Sequence, residues 1–399
     1  MASHDRLPTN QPTDVLTNVL TDVPTNMPTL DAAVVHGGDL WRAMQQYGGL
    51  PADWLDLSTG INAHAYPVPT LPEDIWRCLP NDHDGLIEIA RRYYDVPQAL
   101  GILAIPGSQY AIRQVPSLLP PGTVGIAELS YGEYAPAFRR HGHSVVRYRY
   151  PRQNIERVSE PEDGLFTLHP DQPLPDDLRY LVVVNPNNPT THRYSSATLL
   201  QWRTVLQARG GMLIVDEAFA DVDPSTSVLS ALGRVPGPAG LHGLLVLRSV
   251  GKFFGLAGIR AGFVMSAPPL LQRLADHMGA WAVSGPARHA LRYALADQEW
   301  QAATRTRLLA QSVEMAARLR SHGLPVSVTP LFIWFPHAQA AALQHRLAEQ
   351  LIWTRLFDPC DASNHQGSLR LGIPPDRNGL DHLDKALADA LATKCYGLP

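Results

Sequence analysis

Leu247-Arg248-Ser249-Val250-Gly251-Lys252-Phe253-Phe254-Gly255-Leu256-Ala257-Gly258-Ile259-Arg260-Ala261-Gly262 sets a lone lysine just after an apolar run and inside a glycine-rich turn. The runs on either side, Leu244–Leu247 and Gly262–Met265, are short and apolar throughout. Polar or glycine-containing punctuation follows them, the pattern of strands buried on both faces. A lysine that needs only solvent sits more often on a helix face. Ser249 lies three residues before Lys252 and Arg260 eight after it. A hydroxyl, a guanidinium and backbone N–H groups within one turn can hold a phosphate. Taken alone, the stretch also fits a glycine-rich loop with a surface lysine.

Outward from this turn, similar apolar runs recur at Leu181–Val184 and Met212–Val215. Between them Ser195–Ala208 has helical spacing and opens on a Ser-Ser pair able to cap it. Strand–helix–strand alternation predicts a parallel sheet covered by helices, an α/β fold. Past Pro268-Pro269 the spacing is helical over Leu270–Met278, Ala287–Leu308 and Ala310–Ser321. Leu324–Pro336, with helical stretches at Ala338–Gln350 and Leu380–Ala392, predicts a smaller α+β unit.

The strand ends carry groups suited to one chemistry. In Leu213-Ile214-Val215-Asp216-Glu217-Ala218-Phe219 an acid ends a buried strand, where a carboxylate is unfavourable unless paired. A protonated pyridine nitrogen is one such partner; a helix N-cap is the plainer reading. Two prolines fix Val184-Asn185-Pro186-Asn187-Asn188-Pro189-Thr190 as an extended turn, from which an Asn amide can donate to a phenolate oxygen. Alone, that cluster is an ordinary turn. Ile105-Pro106-Gly107-Ser108-Gln109-Tyr110-Ala111-Ile112 reads as strand, glycine turn and helix start, a place where anions bind. Leu129-Ser130-Tyr131-Gly132-Glu133-Tyr134 offers an aromatic able to stack on a planar ring or to pack in the core. A lysine beside a held phosphate suits pyridoxal phosphate (PLP), whose aldehyde it would bond.

In this order the Gly-Ser-Gln turn, the tyrosine, Asn-Asn-Pro-Thr, Asp-Glu-Ala-Phe and Ser-x-x-Lys…Arg resemble the fold-type I PLP enzymes of aminotransferase class I/II, from about His36 to Arg370. The resemblance implies the fold-type I transferase architecture: a large domain with a mostly parallel sheet covered by helices, plus a smaller α+β domain. It implies PLP as cofactor and Lys252 as the catalytic residue that bonds it. Asp216 would pair with the pyridine nitrogen, Asn188 would face the phenolate oxygen and Tyr131 would stack on the ring. Ser108, Gln109, Ser249 and Arg260 would hold the phosphate.

Two branches of the family are similar, the histidinol-phosphate aminotransferases and the threonine-phosphate decarboxylases of cobalamin biosynthesis. The opening His36-Gly37-Gly38-Asp39-Leu40 and the segment Leu55-Asp56-Leu57-Ser58-Thr59-Gly60-Ile61-Asn62 resemble the second branch. Phe219 stands where many aminotransferases carry Tyr. This resemblance implies that His36, Gly37, Asn62, Arg355 and Arg370 bind the substrate. Two guanidiniums suit one with both a carboxylate and a phosphate, such as L-threonine O-phosphate. Which arginine takes which anion stays open, and a surface salt bridge is the alternative for each. The chain departs from the family pattern at Thr191, where Gly is common, at Gly251, where Ser often stands, and at Leu79-Pro80, where many relatives have Tyr-Pro. The resemblance also implies a homodimer with active sites at its interface.

At roughly 100–200 residues per domain, 399 residues suggest two or three domains. A net charge of −4 lacks the positive excess of a nucleic-acid binder, and no apolar run reaches membrane-spanning length. The three cysteines, Cys78, Cys360 and Cys395, are scattered, which argues against a disulfide framework or structural zinc and suits a reducing cytoplasm. From Pro8 a four-residue unit rich in Pro, Thr, Asn and Asp repeats, so residues 1–31 read as a disordered extension without a secretory or transit signal. The expected organisation continues with an arm over 32–70 that joins the small domain, a large domain over 71–290 and a small domain over 291–399.

Overall fold

The computed structural model describes residues 36–151, 165–232, 241–358 and 366–392. The tetrad repeat, Cys360 and Cys395 lie outside them. The strands are β1 (Leu55–Asp56), β2 (Gly101–Ile105), β3 (Thr123–Ala127), β4 (Ser144–Arg149), β5 (Leu165–Thr167), β6 (Leu178–Val184) and β7 (Met212–Asp216). They continue with β8 (Leu244–Ser249), β9 (Gly262–Ser266), β10 (Ser327–Thr329), β11 (Phe332–Pro336), β12 (Ile352–Trp353), β13 (Arg355–Phe357) and β14 (Ser368–Gly372). The helices are α1 (Leu40–Tyr47), α2 (Asp74–Arg77), α3 (Leu86–Tyr93), α4 (Ser108–Leu118), α5 (Tyr134–Arg140) and α6 (Ser196–Ala208). Then come α7 (Val228–Leu232), α8 (Pro268–Met278), α9 (Gly285–Ala294), α10 (Gln298–Ser321), α11 (Ala340–Glu349) and α12 (Arg377–Ala392).

An eight-stranded sheet runs in the order β2-β9-β8-β7-β6-β3-β4-β5. From β8 to β5 every pairing is parallel. Because side chains alternate along a strand, β6, β7 and β8 feed two cores. Leu181, Val183, Leu213, Val215, Leu244 and Val246 enter one; Val182, Val184, Ile214, Leu245 and Leu247 enter the other. Both faces are covered, so these strands read as unbroken apolar runs. α6 starts as its sequence predicts, with Ser195 Oγ accepting from the Thr198 N–H at 3.1 Å.

Two expectations need correction. β9 is not part of the parallel alternation: it lies antiparallel between β8 and β2. The segment Val250–Ala261 contains no crossover helix, and a chain that returns without one pairs antiparallel. The long helical region breaks at Leu295–Asp297 rather than at Leu309. Asp297 Oδ1 caps α10 through the Trp300 N–H at 2.9 Å, while Gln301 Nε2 donates back to the Ala294 carbonyl at 2.8 Å. Leu309 sits mid-helix and is 56% exposed, so an apolar side chain facing solvent obscured the period.

A second, antiparallel sheet runs β10-β11-β14-β13 over its own core of Leu57, Ile333, Phe335, Leu369, Leu371 and residues of α11 and α12. β1 pairs with β12 in a separate two-stranded sheet, and the Gly372 N–H donates to the Leu57 carbonyl at 2.7 Å, so the segment that begins at Leu55 is tied to the end of β14.

Candidate active site

The turn after β8 is fastened from behind. Asn62 N–H donates to the Lys252 carbonyl at 3.0 Å, Asn62 Nδ2 to the Phe253 carbonyl at 2.9 Å, and Tyr66 N–H to the Phe254 carbonyl at 2.8 Å. Asn62 Oδ1 accepts from His64 N–H, so backbone uses both ends of the Asn62 amide. With its backbone held, Lys252 places Nζ 5.7 Å above the Phe219 ring. Burial, helped by the cations Arg370 and Arg260, brings the Lys252 amine down to about 8, although Asp216 opposes the shift.

Asp216 ends β7 and is 3% exposed. Tyr134 OH donates to Oδ2 at 2.7 Å and Ala218 N–H to Oδ1 at 3.0 Å. Burial nonetheless raises its carboxyl above the usual range. Tyr134 drew no functional reading from the sequence, where nothing separates it from a core aromatic at the start of a helix.

Next to this acid lies an anion cradle. Gly107 takes a left-handed backbone (φ 77°), and among the described residues no side chain caps the helix α4 that starts at Ser108. Tyr110 N–H donates to the Gly107 carbonyl, which leaves the Ser108 and Gln109 N–H groups to meet a ligand. A Cβ on Gly107 would lie 2.8 Å from Arg260 Nη2, which puts the guanidinium beside that helix start. Ser249, at the end of β8, pairs with Gly262, whose own Cβ position is 3.2 Å from Ser108 N. Tyr131 OH donates to Gln109 Oε1 at 2.9 Å, and burial brings its phenol up to about 12.

Arginines form the opposite wall. Arg370 of β14 lies across from Arg355 of β13 in the antiparallel register. Its Nη1 donates to Asn188 Oδ1 at 2.5 Å and its Nη2 to the Ser58 carbonyl, while its buried Nε meets no acceptor among the described residues. Burial and the neighbouring Arg355 bring Arg370 down to about 9, against the pull of Asp56. Burial also lowers Arg355. Asn187, 0% exposed, holds the Asn188 turn by donating to the Leu129 carbonyl at 2.9 Å and accepting from Ser130 Oγ at 2.7 Å. His36 Nε2 lies 2.8 Å from Glu133 Oε1, with its ring 5.9 Å from Tyr131. A Cβ on Gly37 would strike the Ser58 carbonyl, with Arg370 Nη2 at 3.3 Å. The fold thus gathers Lys252, Asp216, Arg260, Asn188 and Arg370 around one space, with Asn62 behind the lysine turn.

These groups fit PLP. The uncapped helix start with Arg260 suits the phosphate, the buried Asp216 suits a cationic ring nitrogen, and a depressed lysine suits an aldehyde. Among the described residues no cluster of three or more His, Cys, Asp or Glu could hold a metal ion.

The aminotransferase class I and II family model matches residues 77–387. The threonine-phosphate decarboxylase of Pseudomonas aeruginosa is 41% identical over 353 residues, 88% of this chain and 96% of that protein. The threonine-phosphate decarboxylase of a Sinorhizobium species is 39% identical over 367 residues, 91% of this chain and 99% of that protein. Among solved structures, the histidinol-phosphate aminotransferase from Sinorhizobium meliloti in complex with pyridoxal-5'-phosphate aligns with TM-score 0.67 at 18% identity, covering 93% of this chain and 98% of that one. At that identity the structural likeness speaks for the fold, which both branches share, while the near-full-length identity speaks for descent. By both measures the chain belongs to the aminotransferase class I and II family.

Proposed function

We propose that this protein uses PLP to decarboxylate L-threonine O-phosphate, giving (R)-1-aminopropan-2-yl phosphate and CO2, a step of cobalamin biosynthesis. The single observation that carries the reading within the site is the pairing across the sheet of half-buried Arg355 with buried Arg370, which also reaches Asn188. Two guanidiniums in one wall match a substrate with two anionic groups. Decarboxylase relatives that align along nearly the whole chain support it further.

PLP, when bound, supplies an electron sink for the bond broken at the substrate's Cα. Ser108, Gln109, Ser249 and Arg260 would hold its phosphate, Asp216 its ring nitrogen, Asn188 its phenolate oxygen, Tyr131 its ring face and Lys252 its aldehyde carbon. Tyr134 and the Ala218 N–H hold the Asp216 carboxylate in place. Phe219 has no hydroxyl, which leaves the Asn188 amide to donate to the phenolate oxygen, and Arg370 orients that amide by occupying its Oδ1. Arg355 and Arg370, with His36 and Gly37, orient the substrate so that its carboxylate, rather than its Cα–H, is the group released. Asn62, expected from the sequence to bind substrate, instead spends its amide on the backbone behind the lysine turn. The electron pair of the broken C–C bond returns to Cα with a proton, which Lys252 Nζ, with its lowered affinity for protons, would deliver.

The protein acts as a homodimer in this reading. Trp76 (68% exposed) and Leu79 (65%) on and beside α2, and Trp281 (59%) just before α9, leave large apolar side chains in solvent where those two helices meet. Such clustering marks a surface that a partner covers. Purified protein incubated with L-threonine O-phosphate is expected to release CO2 and aminopropanol phosphate with no 2-oxoglutarate present. Amino transfer from histidinol phosphate to 2-oxoglutarate, without CO2, would sink the decarboxylase reading.

A further inference from the structure

His36, Gly37 and Gly38 cross from one sheet of the molecule to the other, and both ends of this crossing are tied down. On the side of the eight-stranded sheet, His36 Nε2 meets Glu133 Oε1 at 2.8 Å. On the side of the four-stranded sheet, Gly38 N–H donates to Ser58 Oγ at 2.8 Å, and Gly37 lies so close to the Ser58 carbonyl and Arg370 that no side chain fits there. Ser58 is itself held, since its Oγ donates to Asp56 Oδ1 at 2.6 Å and its carbonyl accepts from Arg370.

Glu133 is the unexplained member. It stands directly before α5, yet caps no helix N–H. It is 7% exposed, and a carboxylate taken from water is unfavourable unless cations or donors meet it. Its two oxygens face two elements: Oε1 the His36 imidazole, and Oε2 Arg113 Nε of α4 at 3.5 Å. The residue after it, Tyr134, holds Asp216, and α4 begins with the anion cradle. One carboxylate therefore joins the entering chain to the two helices that shape the cofactor space. A carboxylate oxygen at Nε2 favours the proton on that nitrogen, and the imidazole ring lies 5.9 Å from the Tyr131 ring.

We propose that Glu133 is a positioning residue for the substrate's phosphate: it orients His36 and holds the His36–Gly38 strap across the site. This rests on the function proposed above. Glu133 touches neither substrate nor cofactor in this scheme; it acts through His36, and Arg113 steadies its second oxygen.

The test compares Glu133→Ala with Glu133→Gln, whose amide oxygen still accepts from Nε2, in the PLP-loaded enzyme. Glu133→Ala is expected to raise KM for L-threonine O-phosphate about ten-fold, with kcat within about two-fold, the mark of lost binding rather than lost chemistry. Glu133→Gln is expected to recover most of that rise. Independently of turnover, hydrogen exchange at the Gly38 amide should be faster in Glu133→Ala than in wild type and close to wild type in Glu133→Gln. Unchanged KM together with unchanged Gly38 exchange overturns the proposal, as does an equal fall of kcat and kcat/KM in both variants. If wild type itself releases no CO2 from L-threonine O-phosphate, the functional reading falls, while the exchange measurement still decides whether Glu133 holds the strap.

Discussion

Lys252 and Arg370 are both buried cations, and the charge of Arg370 makes Lys252 easier to deprotonate. With its amine near 8, Lys252 is about one-tenth neutral at pH 7, where an ordinary lysine is well under one-thousandth neutral. The neutral amine is the nucleophile, so capture of added PLP by the apoenzyme should speed up with pH and level off above about 8. Arg370→Ala removes a repelling charge, raises the affinity of Lys252 for protons and moves that profile to higher pH. A stopped-flow pH series that leaves the profile in place would refute the coupling. Tyr134→Phe tests the neighbouring pair. It deletes one hydrogen bond to a buried carboxylate, worth about 1.5–3 kcal/mol, and should lower kcat roughly 10- to 100-fold while the protein stays folded.

At the scale of single elements, the turn into α4 carries the next prediction. In Gly107→Ala the new Cβ meets both a left-handed backbone and the Arg260 guanidinium, so PLP affinity should drop about ten-fold in equilibrium dialysis. Gly142→Ala is the control: φ is also 77°, but nothing lies within 4 Å, so affinity should hold. The strand runs were legible in the sequence because both faces of β6, β7 and β8 are buried, and the groups at their ends followed from unusual residues in those places. Direction was not legible for β9, because pairing sense depends on a connection rather than on composition. Nor was the start of α10, since Asp297 is a cap only once its side chain has met Trp300. In the site, Lys252 and Asp216 stood out as charges in apolar settings. Tyr134, Ser58 and Asn187 did not, because they act on other site residues or on backbone, and a partner distant in sequence leaves no local pattern.

Across the whole molecule, the lysine turn sits near a buried ionic cluster. Arg248, 2% exposed, reaches Glu217 Oε2 at 2.8 Å and Asp221 Oδ1 at 3.3 Å. Arg248→Met takes the paired cation from both acids, although Ser227 Oγ and Val228 N–H still donate to Glu217, and should cost about 3–5 kcal/mol of stability, read from the denaturant midpoint. Burial raises Asp221 to about 6, so the acid is mostly protonated at pH 5 and ionised at pH 8. The deficit should therefore be smaller at pH 5 than at pH 8. Leu79→Glu, in the exposed apolar group, should shift sedimentation toward monomer if that surface joins two copies. The fastening of the lysine turn has a consequence for synthesis. Asn62 grips Lys252 and Phe253, yet the segment it belongs to is held by Trp353 and Gly372, which the ribosome adds long after the lysine. A nascent chain can contain every strand of the larger sheet and still leave its reactive amine unsecured. Translation must run through β14 before the turn that carries that amine is held from behind, so a chain cut before Gly372 is expected to take up PLP more weakly than the full chain.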